Sequence, residues 1–577
     1  MIRMLLASAA ACLLLPAAAQ AQDADPLAPL PRTQQSPADP RVAVATDWNA
    51  LLTAIERRQW DEAKTRLSSA NPADPMWAVA ASELYLAADS PRVEANEIAY
   101  LVALAPDLPD ADRLAALGAR RGSDGLRVAA TRGMRSLGGA PRRGTGRPTD
   151  DPVAEQLRTA LRPYIDADDA VAAESLYRSG IREGLRGEAQ AEIAQRVAFI
   201  YYVIGRDADA RRVAQEGRSV GGGDWGARSA FVEGLAAWRM NDCNAASPAF
   251  RQAALRTSDR EMASAGHYWS ARAEQVCRRP HEVQSRLRAA AAEPETFYGL
   301  VARETLGMTL KPQPRVEAPS ERDIERVSRH SNVRRAVTLA QMGRIELAET
   351  YLKHQARIGD PSEHRTLIEM ARRLSLGGAQ YYLATNGPRG AAADLADRYP
   401  APGWRPDNGW RIDPYMAFAH IIQESDFRPH VVSPADAVGL MQVRPGTAAD
   451  EARRRGQPAP SVTALKRPEV NLDHGQAFIE LMRRNPATRD QLLRVIASYN
   501  AGPLPVGRWA SINDQGDALL WMESLPYWET RGYVPAVLRN YFMYHALAGS
   551  TAPALRDLAQ HRTPMYPACG GASIACR

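Results

Sequence analysis

The chain contains no CxxC pair, no HExxH, no EF-hand loop and no phosphate-binding P-loop. Those absences remove a zinc ribbon or thioredoxin-type site, a zinc protease, a calcium hand and a P-loop nucleotide enzyme. After the first residues there is no run of 18 apolar residues, so no later segment reads as a membrane span. No long block of like charge occurs. The 72 Lys+Arg and 66 Asp+Glu leave +6 over 577 residues, an ordinary solubility charge and not a nucleic-acid footprint. The densest basic triplet, Arg453-Arg454-Arg455, reads as a solvated helix face. The ten histidines are scattered, so no metal centre and no cofactor is expected. Strand-like alternation is missing before residue 400. What is present, 45% apolar and 24% charged residues, excludes wholesale disorder and a fibre. At about 150 residues per domain, the length predicts roughly three to four domains.

Cysteine is scarce, and its placement is informative. Arg3, the apolar run Met4–Leu15 and Ala19-Gln20-Ala21 read as a secretory signal peptide over 1–21, cleaved near Ala21. Cys12 lies inside that apolar run, which continues through Leu13–Leu15 and so argues against a lipid anchor. Export leaves four cysteines in an oxidising compartment, where an even count favours disulfides. Of the three pairings, Cys243–Cys277 and Cys569–Cys576 close short local loops and are preferred. Residues 22–44, with Pro26, Pro29, Pro31, Pro37 and Pro40, read as a flexible leader.

From Thr46 onward apolar residues recur at helical spacing, and the helices pair. Val197–Ile204 and Ala208–Gln215 flank Gly205; Phe231–Met240 and Ala245–Leu255 flank Asn241; His267–Val276 and His281–Ala292 flank Arg278. The turns are 36 and 37 residues apart (241 − 205 and 278 − 241), close to the period of tetratricopeptide-like arrays. Leu51–Leu67 and Ala336–Lys353 read as further hairpins of a degenerate solenoid, with Cys243 and Cys277 placed to staple neighbouring units. Gly138–Asp151 is the strongest internal break, and Pro400, Pro402, Gly403, Pro406 and Gly409 mark a boundary. The array serves as a curved scaffold or binding surface, or only as a packing framework.

Beyond that boundary Asp413-Pro414 starts a helix, Asp as cap and Pro in the first turn. Tyr415, Phe418, Ala419 and Ile422 form its core stripe, and Glu424 sits at its C-terminal end. There the helix dipole disfavours a carboxylate by ~0.3–1 kcal/mol. Burial adds to the same effect, and a Glu kept neutral near pH 7 is a general acid. Four ordered blocks surround it: Glu424-Ser425; Gly439-Leu440-Met441-Gln442; Ser498-Tyr499-Asn500-Ala501-Gly502-Pro503; and Glu523-Ser524 through Glu529-Thr530 to Gly532-Tyr533-Val534.

In these blocks the chain resembles the catalytic domain of the soluble lytic transglycosylases over about residues 405–550. Thr296–Arg303 is similar to a segment that family members carry near the end of their superhelix. The resemblance implies a predominantly all-α protein, an N-terminal superhelical, tetratricopeptide-like solenoid followed by an α-rich, goose-type lysozyme-like catalytic domain. The expected divisions are 45–325 for the superhelix, 326–400 for a helical linker domain, 401–550 for the catalytic domain and 551–577 for a tail.

The resemblance further implies cleavage of the β-1,4 bond between N-acetylmuramic acid and N-acetylglucosamine without water, leaving a 1,6-anhydro ring. Glu424 takes the place of the sole acid/base and Ser433 that of the hydroxyl orienting it. Met441, Gln442, Tyr499, Asn500 and Glu529 take cleft positions, with Ser425, Arg444, Glu523 and Tyr533 as second-tier candidates. Glycosidases that hydrolyse need two carboxylates; here the sugar supplies its own nucleophile. Asp426, two positions on along a helix, points about 200° away from Glu424. The chain departs from the family pattern at Ala435–Val438 and at Arg444, which lowers the pKa of Glu424 if it lies close. Trp509, Trp521 and Trp528 are sugar-stacking candidates or core.

The expected partners are peptidoglycan glycan strands in the periplasm, with peripheral association with cell-wall enzymes and no nucleic acid; no oligomeric state is assigned. Two other readings compete, a hydrolytic muramidase and a catalytically silent peptidoglycan-binding scaffold.

Overall fold

A computed structural model describes residues 46–310 and 317–567. The segments read as signal peptide and leader, and the Cys569–Cys576 pair, lie outside the described residues. The described residues hold 28 α-helices and a single two-stranded sheet. None of these helices is long and apolar enough to cross a membrane.

The helical hairpins stand where their turns place them. Gly187–Val203 pairs with Asp207–Val220, Asp224–Arg239 with Cys243–Arg256, and Arg260–Val276 with Pro280–Ala291. Gly205, Asn241 and Arg278 all take left-handed backbone conformations (φ 78°, 59° and 57°), the geometry that reverses a chain between antiparallel helices. Small residues let the helices approach: Ala191, Ala194, Ala198, Ala210, Ala214 and Ala230 are all buried. A disulfide joins Cys243, the first residue of one helix, to Cys277, the cap of the next, with Cα atoms 5.6 Å apart.

The array closes back on itself. Helices between Glu321 and Thr385 share one apolar core with the helices of residues 48–120. Asn332 donates to Asp107 O (2.7 Å), Arg335 pairs with Asp107 (3.0 Å) and Arg344 donates to Asn49 Oδ1 (2.9 Å). The small sheet clips Arg135–Ser136 to Asn386–Gly387, antiparallel, with Arg135 opposite Gly387. A second core unites residues 154–302 with residues 399–566. Thus the superhelix and the C-terminal helical body are packed together, not strung on a linker.

Gly138–Asp151 lacks a regular element, as its Gly and Pro content requires, yet it is tied down along its length. Arg539 donates to Pro141 O, Gly144 N–H to Asp259 (2.8 Å), Trp225 Nε1 to Arg147 O (2.8 Å) and Thr149 to Glu192 (2.8 Å). It is a strap across the junction. The segment starting at Thr296 lies at the same junction: Thr296 caps the helix Phe297–Thr305, Tyr298 reaches Glu523, and Phe297 stacks on Phe542.

Candidate active site

The helix Pro414–Glu424 carries the site. Asp413 accepts from Tyr415 N–H (2.9 Å) and fixes its start; every residue from Pro414 to Ile422 is buried. It stops at Glu424, because Asp426 and Phe427 turn left-handed (φ 50° and 62°). Phe427 is driven into the core against Trp404 and Phe418. This corrects the helical-wheel argument for Asp426: that residue is past the helix end, and its carboxylate turns to Arg142 (3.3 Å).

Glu424 is half-buried at the end of this apolar helix. Burial pushes its carboxyl up to about 7. The hydrogen bond from Tyr533 opposes that shift, and the negative charge of Glu529 adds to it. Tyr533 Oη donates to Glu424 Oε1 at 2.5 Å. Behind it, His420 Nδ1 lies 2.8 Å from the same hydroxyl. Burial holds the His420 imidazole down to about 3, so it is neutral. With the tyrosine proton given to Glu424, the Nδ1 tautomer donates to Tyr533. Glu424 Oε2 is then left to carry an acid proton.

A wall forms beside this relay. The Tyr499 ring lies 4.6 Å from that of His420, with Phe478 edge-on at 5.3 Å, and its hydroxyl donates to Met441 O (2.7 Å). Met441 N–H donates to Asn471 Oδ1 (2.8 Å), and Asn471 Nδ2 donates to Val438 O (2.8 Å) and Leu465 O (2.7 Å). Gly439 is left-handed (φ 77°), and a Cβ there would stand 2.4 Å from Asn471 Nδ2, so only glycine fits. Gln442, also left-handed (φ 48°), donates to Gly439 O (2.8 Å). Ser425 Oγ donates to Leu440 O (2.7 Å) and ties the Glu424 helix end to this loop. Asn500 accepts from Thr530 Oγ1 (2.6 Å), and Glu529 is exposed in the first turn of Trp528–Leu547.

Three expectations are redrawn. Ser433 Oγ accepts the amides of Ala435 (3.2 Å) and Ala437 (3.0 Å) in its own loop, and the hydroxyl on Glu424 is that of Tyr533. Glu523 is buried away from Glu424, held by Arg143 (2.6 and 2.8 Å) and Tyr298 (2.8 Å). Arg444 is exposed at the head of Pro445–Arg454, and the groups that set the titration of Glu424 are its burial, Tyr533 and Glu529. Trp509 and Trp521 are core, whereas Trp528 is 61% exposed. Sequence reasoning missed His420 and Asn471. The spacing of His420 and Glu424, four residues on one helix, was the available signal for the first. Among the described residues no three His, Cys, Asp or Glu side chains converge to hold a metal ion.

A family model for the transglycosylase SLT domain matches residues 405–521. Over this stretch the chain is similar to the soluble lytic transglycosylases. It is 37% identical over 158 residues to the soluble lytic murein transglycosylase of Escherichia coli K12, a match spanning 26% of this chain and 23% of that protein. It is 40% identical over 113 residues to the endo-type membrane-bound lytic murein transglycosylase A of Klebsiella pneumoniae, spanning 18% of this chain and 56% of the relative. The chain thus matches about a quarter of the length of its soluble relative in sequence. The likeness of fold extends further. The crystal structure of the 70 kDa soluble lytic transglycosylase from Escherichia coli superposes with a TM-score of 0.52 at 17% identity, covering 89% of this chain and 99% of that one. The shared architecture is an all-α superhelix with a lysozyme-like domain.

Proposed function

We propose that the chain is an exported peptidoglycan lytic transglycosylase that acts in the periplasm, with Glu424 as the single acid/base. Residues 401–550 form its catalytic body and residues 45–325 its scaffold. The observation that carries this reading is a carboxyl held protonated near neutral pH, by burial, inside a transglycosylase SLT domain. Glu424 Oε2–H gives its proton to the glycosidic oxygen; the bond from the muramyl C1 breaks, and its electron pair stays with the leaving N-acetylglucosamine oxygen. The 2-acetamido group stabilises the cation at C1. Glu424, now a carboxylate stabilised by Tyr533, takes the proton of the muramyl 6-hydroxyl, and that oxygen closes on C1. The proton count balances without water, and the product is the 1,6-anhydro sugar. A positioned acid/base of this kind contributes roughly 10²–10⁴-fold in rate. Met441, Gln442, Tyr499, Asn500 and Glu529 line the glycan path, and Tyr533, in the role expected of Ser433, orients the acid.

Mass analysis of digested purified peptidoglycan tests this directly. Wild type releases muropeptides lighter by one water than hydrolysis products, and Glu424→Gln releases none while remaining folded. Full activity of Glu424→Gln, or hydrated reducing ends from wild type, refutes the assignment. The muramidase reading retains one supporting observation, the charge of Glu529 acting on Glu424. If Glu529 were a second catalytic carboxylate, Glu529→Gln would be as inactive as Glu424→Gln; a glycan contact alone weakens KM and leaves anhydro products.

A further inference from the structure

Glu424 is the last residue of its helix, and the chain leaves it by a strained turn. A helix end of left-handed shape ordinarily takes glycine there. Here Asp426 and Phe427 in succession are left-handed (φ 50° and 62°). Asp tolerates that region, but a bulky Phe does not, and it keeps the conformation only where its surroundings enforce it. Part of what enforces it comes from outside the catalytic body, from the helices that close the array.

Phe427 is fully buried, and it rests on the start of the helix Gly377–Thr385. A Cβ on Gly377 would stand 2.8 Å from Phe427 Cδ1, and one on Gly378 would stand 2.9 Å from Phe427 O. Gly378 has no room to retreat. The same Cβ would stand 2.6 Å from Glu349 Oε2, a buried carboxylate paired with Lys353 (2.9 Å). Two glycines thus let the backbone of an array-closing helix touch the turn behind the acid. Trp404 and Phe418 hold the other sides of the Phe427 ring, each with its centroid 6.1 Å away. Two polar contacts flank this seat. Arg142 of the strap reaches Asp426 (3.3 Å), and Glu346 lies 3.5 Å from His430. Both pairs are open to solvent and contribute little; the buried aromatic side chain carries the seat.

We propose that the array-closing helices position the acid, with Phe427, seated on Gly377 and Gly378, as the positioning residue that fixes the Glu424 end of its helix. The segment 326–400, read from the sequence as a linker, then has a part in the site. The reaction asks one carboxyl to give a proton to one oxygen and take it from another, so a misplacement of about 1 Å is costly in rate. The effect on turnover rests on the function proposed above; the effect on the Glu424 carboxyl does not.

Gly378→Ala in the full chain tests it, because alanine suits the helix but intrudes on the turn. On purified peptidoglycan kcat should fall about tenfold to a hundredfold, with KM within about twofold of wild type. Displacing the turn admits water to the helix end, so the Glu424 carboxyl should titrate below its wild-type value of about 7. Carbon-13 NMR of the glutamate carboxyls, with Glu424→Gln assigning the resonance, reads that titration without substrate. The alkaline limb of kcat/KM should move down with it. Gly377→Ala, which meets the Phe427 ring, and Phe427→Leu should act in the same way, and they carry the measurement should Gly378→Ala fail to fold. Together those two should cost less than the product of their separate losses, since both disturb one contact. Folded variants that keep wild-type kcat and titration, a loss confined to KM, or a fall in kcat with Glu424 titrating as in wild type each overturn the proposal. A shifted titration in a chain that releases no wall fragments sinks the proposed function and leaves the seat standing. Fragment release that the variants leave unchanged sinks the seat alone.

Discussion

The Tyr533 hydroxyl lies 2.5 Å from Glu424 Oε1, joining residues 109 positions apart. One atom of the carboxyl is thereby fixed, and the other is left for chemistry. The balance between that bond and burial sets when Glu424 holds its proton.

The first expectation concerns pH. The Glu424 carboxyl is raised from an ordinary 4.5 to about 7 in the folded chain. Between those values the folded state keeps a proton that the unfolded state has released. Stability is therefore fully present below about 4.5 and is lost as pH rises through about 7, with a ceiling of about 3 kcal/mol. Glu424→Gln cannot ionise, so it should match wild type at pH 4 and be more stable at pH 8. Urea unfolding at both pH values measures this; an equal difference at the two would contradict the raised carboxyl.

Tyr533→Phe removes the bond that favours the carboxylate form, so the Glu424 carboxyl rises further. The alkaline limb of kcat/KM should move to higher pH, and kcat should fall by about tenfold or more as the acid loses its orientation. A limb that stays put, or moves down, would show that Tyr533 does not govern this proton.

Much of this arrangement is legible in the residues, and what is not has a physical reason. Gly205, Asn241 and Arg278 punctuate the array at regular intervals because a left-handed residue must end each helix before the chain reverses. Asp413-Pro414 announces a helix because cap and first-turn chemistry are local. Glu523 enters as a second-tier candidate from the fourth motif block, whereas Arg143 and Tyr298, which decide its surroundings, come from 380 and 225 residues away. Ser433 misleads likewise: a hydroxyl in a tight loop finds its nearest backbone amides first. The strap reads as a break because Gly and Pro exclude helix, and composition does not reveal what an irregular segment packs on.

Arg143→Leu tests the strap. The Arg143–Glu523 pair is nearly dry, with side chains 14% and 1% exposed. Removing the cation leaves Glu523 charged and buried with only Tyr298 to satisfy it, at about 3–5 kcal/mol. Adding Glu523→Gln should recover part of that loss. A single-variant loss under about 1 kcal/mol would mean that water reaches the pair, as at an exposed ion pair.

The Cys243–Cys277 bridge spans 34 residues and ties one hairpin to the next. Loop-closure entropy assigns a bridge of that span about 3–4 kcal/mol. The double variant Cys243→Ala, Cys277→Ala should lose most of that in urea unfolding at 25 °C. Its digestion of peptidoglycan should be unchanged at that temperature, because the bridge is on the superhelix. A loss of activity without a loss of stability would place the bridge in the function.

Asn471 holds the loop that faces Tyr499, and it does so with a fully buried side chain that satisfies three backbone groups. Asn471→Ala orphans the amide of Met441 and the carbonyls of Val438 and Leu465. Leaving such groups unpaired costs about 1–3 kcal/mol each where water cannot enter. The loop should loosen, and with it the Met441 carbonyl that receives the Tyr499 hydroxyl. Activity should fall while the alkaline limb of the pH profile stays in place, because burial, Tyr533 and Glu529 set the Glu424 proton. Asn471→Asp separates the two functions of the amide. It keeps an acceptor for Met441 N–H but, when ionised, turns an oxygen toward two carbonyls. Only its protonated form can donate to one of them, so Asn471→Asp should gain stability relative to wild type as pH falls. A pH-independent deficit in Asn471→Asp would show that the two carbonyl bonds contribute little to holding the loop.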